Sequence, residues 1–414
     1  MNIPYYDIII IGSGMSGLYS AYKIKQKYPN TSFLIVEKYH KDWIGGRTSN
    51  YNFYGSQVVT GAGIGRKDTN PLLIHLMNQL NIPYKEFHSI MDYSPLLQPI
   101  DIMKVINILK SEYKKHSELH NLTFKQFFIK TLGIKLYKQF KISAGYTDYE
   151  NADLYETLFN YGMDDNKGGW TGLYVPWKQI VDTLYKNIGE KHFRFHNNVV
   201  QIQKIKVKPC LFKIITEQNY QYYCNKVILA TTIDGIKKLI PQKETLYKQI
   251  HGQPFLRLYG KFDKKSTTIM HEYVKNYTIV PGPLQKIIPI NPSKGIYMIA
   301  YSDNANAIAL KKHLKNTPEN RKILCDLIEF SLDIPLGSLH LIDIKDFYWP
   351  IGTHYFEPLK KPFRNRNDFL KKAQHPEKGF LVVGEAVSRY QGWAEGALMS
   401  VETALTKQWI LDKC

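Results

Sequence analysis

Apolar positions along the chain fall into three patterns. The first is an unbroken run, Ile8-Ile9-Ile10-Ile11 behind Asp7, with no polar alternation. Such a run marks a strand covered on both faces, as in a parallel sheet. Ser32-Phe33-Leu34-Ile35-Val36, Val227–Thr232 and Gly379–Gly384 read the same way. The second pattern is helical. Leu18, Ala21, Tyr22 and Ile24 lie on one face of a segment over about 15–28, which Pro29-Asn30 ends. The same spacing predicts helices over 72–80, 102–119 and 123–132, and a further apolar helix runs through Leu405. The third is alternation over 193–205 and 211–223, which predicts antiparallel strands. Strand, helix and strand in immediate succession at the start argue for an α/β architecture.

At 414 residues the chain exceeds one compact core, so two domains are expected, side by side or interleaved. No internal repeat or low-complexity linker separates them. The net charge is +19, but no Lys/Arg block exceeds two residues, so a solvated lysine-rich surface is expected rather than a nucleic-acid stripe. The four cysteines, Cys210, Cys224, Cys325 and Cys414, form no CxxC pair and suggest neither zinc nor a dithiol centre. His116 and His120 stand four apart, but no glutamate follows the first, so no metal is expected there. No apolar stretch reaches 18 residues and no signal peptide is discernible, giving the expectation of a cytoplasmic protein without a membrane span.

The junction after the first strand carries the chemistry. In Gly12-Ser13-Gly14-Met15-Ser16-Gly17, Gly12 permits a tight turn and Gly14 lets backbone approach a pyrophosphate. Gly17 lets helix and strand pack closely. The helix start, with Met15 and Ser16, offers free N–H groups and a positive dipole end to phosphate. Glu37, with Lys38 beside it, ends the second strand about 20 residues past Gly17, where an acid reaches ribose hydroxyls. Strand, glycines, helix and acid together predict a dinucleotide site.

Trp43-Ile44-Gly45-Gly46-Arg47-Thr48 then selects the dinucleotide. This turn resembles the GGR motif of the flavoproteins that include amine oxidases, phytoene desaturases and protoporphyrinogen oxidases. Arg47 would offer a donor fork to phosphate or flavin. Gly384-Glu385 and Gly392-Trp393-Ala394-Glu395-Gly396-Ala397 resemble the same family's closing segment. The resemblance implies FAD, with Gly46, Arg47, Gly384, Glu385, Trp393 and Ala394 against it. It adds the glycine-rich Gly61-Ala62-Gly63-Ile64, Val199 on the adenine, and Thr231 where a strand returns to the cofactor. It also implies a Rossmann-type FAD-binding domain (1–66, 166–235, 346–414) interleaved with an α+β substrate domain (67–165, 236–345). Covalent members carry a cysteine before the closing turn; Val387–Gln391 has none, so non-covalent FAD is expected.

By the same resemblance, the reaction is oxidation of a small-molecule amine by hydride transfer to flavin N5, with oxygen as acceptor. Trp349, Tyr355 and Trp393 would form an aromatic wall. Arg257 would stand where the family often has a lysine facing N5; an arginine keeps the charge but cannot serve as a base near neutral pH. Two other readings stay open: a desaturase or isomerase of the same superfamily, and a non-catalytic binding protein of the GDP-dissociation-inhibitor type. Asp164-Asp165 is the one acid pair suggestive of a polyamine site.

Overall fold

A computed structural model describes residues 5–163, 168–207 and 210–412. The pair Asp164-Asp165 lies outside the described residues. The strand Tyr5–Ile11 is central to the first sheet, parallel to Phe33–Val36 on one side and Gln221–Leu229 on the other. Phe193–Arg194 extends the sheet beyond Phe33–Val36, and Phe380–Val382 pairs with Gln221–Leu229. The unbroken isoleucine run is explained by its two covers. Ile8 and Ile10 join one core with the helices Met15–Lys27, Pro71–Gln79, Trp177–Ile188 and Ala394–Ala404. Ile9 and Ile11 join the opposite core with Phe212, Ile236 and Phe369, as alternation across a strand requires.

The second sheet is antiparallel at its centre. Ile250–Phe262 lies between Leu341–Phe356 and Ile296–Asp303, followed by Lys286–Asn291, Tyr277–Ile279 and Met91–Tyr93. Leu341–Phe356 runs through the junction between 345 and 346 and extends to the mouth of the first sheet, where His354 accepts from the Ile233 backbone N–H. A separate helical unit, Ile102–Lys115, Phe124–Leu132, Ile134–Ala144 and Leu154–Phe159, closes on Phe124, Phe127, Phe128 and Phe140.

Three elements depart from the sequence pattern. The alternation over 193–205 is two strands: His196 takes φ 55°, and Asn197 bonds Phe195 O with its side chain and Glu37 O with its N–H. These local bonds compete with a continuous ladder. The segments 211–223 and 227–232 resolve into one hairpin, Cys210–Thr216 with Gln221–Leu229, turning at Asn219, φ 63°. The helix from Ile102 stops at Lys115, and Ser117–Leu119 forms a separate 3-10 turn. There His120 stacks on Tyr113 and bonds Tyr113 O at 2.8 Å, while His116 pairs with Glu118.

Candidate active site

One cavity of about 1880 Å³ runs between the two sheets, and both ends of the chain line it. Gly12, Gly14, Met15 and Ser16 form one wall. Gly12 has φ 103°, and a Cβ there would stand 2.5 Å from Ala230 O. Gly17 does not line the cavity. Its missing Cβ would fall 2.1 Å from Gly12 O, so it serves the contact of helix with strand. A Cβ on Gly14 would meet nothing within 4 Å; the space before it is open. No side chain caps the helix that Gly14 begins, so its first N–H groups face that space with a positive dipole end.

Glu37 lines the cavity but is already committed to shaping the glycine loop. One oxygen accepts from Ser13 N and Ser13 Oγ, each at 2.8 Å; the other accepts from Tyr39 N at 2.9 Å. The Gly45-Gly46 turn docks on the same loop through Gly45 N to Ser13 O, 2.9 Å. Gly46 opens on free space, and Lys38, Val199 and Thr231 complete this end of the lining.

Arg47 leads to a buried network that sequence reasoning only half supplied. Its Nη1 donates to Gly352 O at 2.6 Å and to Glu385 Oε1 at 3.0 Å. His354 Nδ1 reaches the same Oε1 at 2.5 Å, and Glu385 Oε2 accepts from Gly392 N at 3.0 Å. His354 Nε2 accepts the Ile233 N–H, which assigns the ring proton to Nδ1 as donor to Glu385. Burial acts to raise the Glu385 carboxyl, but His354, Arg47 and the hydrogen bonds outweigh it and hold it at about 2. Glu385 is therefore a fixed anion tying the GGR turn, the long strand and the closing turn together.

The segment from Val59 to Gly63 is held carbonyl by carbonyl. Tyr259 OH donates to Val59 O, Trp349 Nε1 to Thr60 O and Arg257 Nε to Gly61 O, at 2.7, 2.7 and 2.6 Å. Trp177 Nε1 donates to Gly63 O, and Ala62 N to Arg47 O. Gly61, Ala62, Gly63 and Ile64 thereby form a rigid wall of the cavity. At the other end, Gly384 takes φ 132° and comes close to Ser16 of the opening loop. Trp393 and Ala394 start the helix Ala394–Ala404 at the cavity surface. Glu395 faces away and accepts from Leu72 N and Leu73 N.

Of the expected aromatic wall, Trp349 and Trp393 line the cavity, and Tyr355 does not. Neighbouring strand residues point to opposite faces, so His354 takes the inner position and Tyr355 stacks on His251. Arg257 is 7% exposed; its guanidinium lies 4.1 Å from the Tyr301 ring centroid, against Gly63. Asp148 is the acid that the sequence did not single out. It lines the cavity, and Oδ1 accepts from Tyr161 OH at 2.5 Å. Burial first, then the neighbouring Asp303 carboxylate, pushes its carboxyl up to about 7. Among the described residues no three His, Cys, Asp or Glu side chains gather as metal ligands would, and no helix is long and apolar enough to cross a membrane.

These features define a Rossmann-type α/β protein with an interleaved α+β unit roofing the cleft, the fold of the flavin amine oxidases. A family model for an NAD(P)-binding Rossmann-like domain matches residues 10–80. Putrescine oxidase, solved bound to putrescine, is 14% identical and superposes with a TM-score of 0.73 over 97% of this chain and 98% of that one. Cyclohexylamine oxidase from Brevibacterium oxydans is 15% identical, with a TM-score of 0.74 and the same coverage. In sequence, the chain is 20% identical to the uncharacterised protein R188 of Acanthamoeba polyphaga mimivirus over 502 aligned residues, covering all of this chain and 96% of that one.

Proposed function

We propose that this protein is an FAD-dependent oxidoreductase that oxidises an amine, with FAD held non-covalently and oxygen as electron acceptor. The observation that carries the reading is the meeting of the Gly12–Ser16 loop and the Gly384–Ala394 turn at one cavity, from opposite ends of the chain. The fit to a dinucleotide rests on Gly14, where an added Cβ would meet nothing within 4 Å, beside uncapped helix N–H groups. Bound FAD would supply the electron sink that accepts a hydride from the carbon next to nitrogen.

The remaining work falls to the chain's own side chains. Gly12, Gly14 and the start of the first helix would take the pyrophosphate. Glu37 would keep that loop in shape, with Lys38, Val199 and Thr231 around the nucleoside. Glu385, Arg47 and His354 would fix the backbone at Gly352 and Gly392 on the opposite side. The N-terminus of the helix Ala394–Ala404 presents positive dipole to any anion beside Trp393. Trp349 and Trp393 would exclude water from the reacting carbon, and Asp148 would accept a hydrogen bond from the incoming ammonium. No cysteine stands in Val387–Gln391 to form a thioether.

The test is anaerobic mixing with a panel of primary amines, followed by air. Bleaching of the visible flavin band, then its return with peroxide release, is the expected result. Flavin that no amine reduces refutes the substrate class while leaving cofactor binding intact.

A further inference from the structure

The cavity carries a cation that its amine-oxidising reading does not use. Arg257 sits on Ile250–Phe262, on the face shared with Phe255 and next to Gly61 and Gly63. It is 7% exposed, yet among the described residues no carboxylate lies within 4.0 Å of its guanidinium. A buried guanidinium is ordinarily paired, because the desolvated charge is costly. Its donors are only partly spent. Nε–H goes to Gly61 O at 2.6 Å, and Nη1 faces the weak acceptor Met298 Sδ at 3.8 Å. Among the described residues no acceptor meets Nη2, which stands beside Gly63, where even a Cβ would come within 2.9 Å of it. Asp148, which lines the cavity, and its neighbour Asp303 are engaged elsewhere. Asp303 accepts from Thr147 N, Thr147 Oγ1 and Gln285 Nε2, and Asp148 accepts from Tyr161 OH. The Tyr301 ring under the guanidinium, at 4.1 Å, and the Gly61 carbonyl lock its plane, so the free edge is held in one orientation.

We propose that Arg257 binds a carboxylate of the substrate, so that the amine oxidised is one that also carries a carboxylate group. This rests on the amine-oxidising reading for the reaction, but the anion site stands on the geometry of Arg257 alone. A carboxylate completes the donor fork with charge-assisted hydrogen bonds, as a planar guanidinium favours, and removes the uncompensated charge.

The test uses the purified protein and isothermal titration with phenylacetate and with its neutral isostere phenylacetamide, so turnover is not required. The wild-type protein is expected to bind the acid at least tenfold more tightly than the amide. That ratio falls to about one in Arg257→Met and to an intermediate value in Arg257→Lys, which keeps charge without the fork. A wild-type ratio near one overturns the proposal, and that comparison does not depend on any variant folding. An undiminished ratio in a folded Arg257→Met also overturns it; if the flavin midpoint potential then shifts, the guanidinium serves the cofactor instead. Amine oxidation can fail on the panel above while the acid-to-amide ratio persists, so the two readings fail separately.

Discussion

Replacing Gly14 by alanine should separate cofactor binding from folding. Gly14 has φ −69° and ψ 178°, which alanine adopts without strain, and an added Cβ meets no protein atom within 4 Å. Stability without cofactor should therefore hold or rise by about 0.4–1 kcal/mol, because alanine lowers the entropy of the unfolded chain. The methyl group would occupy the space assigned to pyrophosphate. Losing close approach of one or two backbone donors to a charged oxygen costs about 1.5–3 kcal/mol each, or roughly 10–100-fold in Kd per contact. Gly17→Ala should behave oppositely. Its Cβ would sit 2.1 Å from Gly12 O and 3.2 Å from the Ala230 Cβ, so backbone must move, at a cost of about 1–3 kcal/mol or more. Thermal unfolding of the cofactor-free proteins and fluorescence titration with FAD measure the two effects. A Gly14→Ala protein that folds normally and binds FAD like the wild type would refute the placement of phosphate at this loop.

Glu385→Gln should loosen Arg47 and His354 and destabilise the protein by about 1–3 kcal/mol at neutral pH. Because the folded Glu385 carboxyl is held at about 2, below its ordinary value of 4.5, its contribution is present above about pH 4.5 and fades as pH falls toward 2; urea titrations across that window should show the difference between wild type and variant shrinking. Asp148→Asn should raise KM for amines about tenfold at pH 8. It should also abolish the tightening of amine binding as pH rises through about 7, where the wild-type carboxyl ionises, as read from steady-state pH profiles. Trp349→Phe removes the donor to Thr60 O and should cost about 0.5–1.5 kcal/mol in thermal unfolding while FAD remains bound.

The N-terminal half of the cleft is legible in sequence because its causes are local. Apolar strand, glycine turn, helix and acid lie within Tyr5–Glu37, and each constrains the next by steric or dipolar necessity. The network at Glu385 is not local. Its partners Arg47 and His354 are 338 and 31 residues away, and nothing in either neighbourhood announces the other. Tyr355 and His354 show a different limit. The segment reaches the cleft as read, but which of two adjacent residues faces inward depends on strand parity, set by pairing with Ile250–Phe262. Asp148 has no pattern around it. It is delivered to the cavity by Thr147 clasping Asp303 and by Gln253 Nε2 donating to Asp148 O, both contacts made from the second sheet. Arg257 was visible as a residue, but its unspent donors became apparent only once Gly61, Gly63 and Tyr301 stood around it.

The most direct measurement is the visible spectrum of the purified protein, taken before and after denaturation, with the released chromophore identified by chromatography. The account predicts a flavin spectrum and about one FAD per chain freed into the supernatant. A protein that is colourless and fails to take up added FAD would contradict the convergence of the two chain ends on that cofactor.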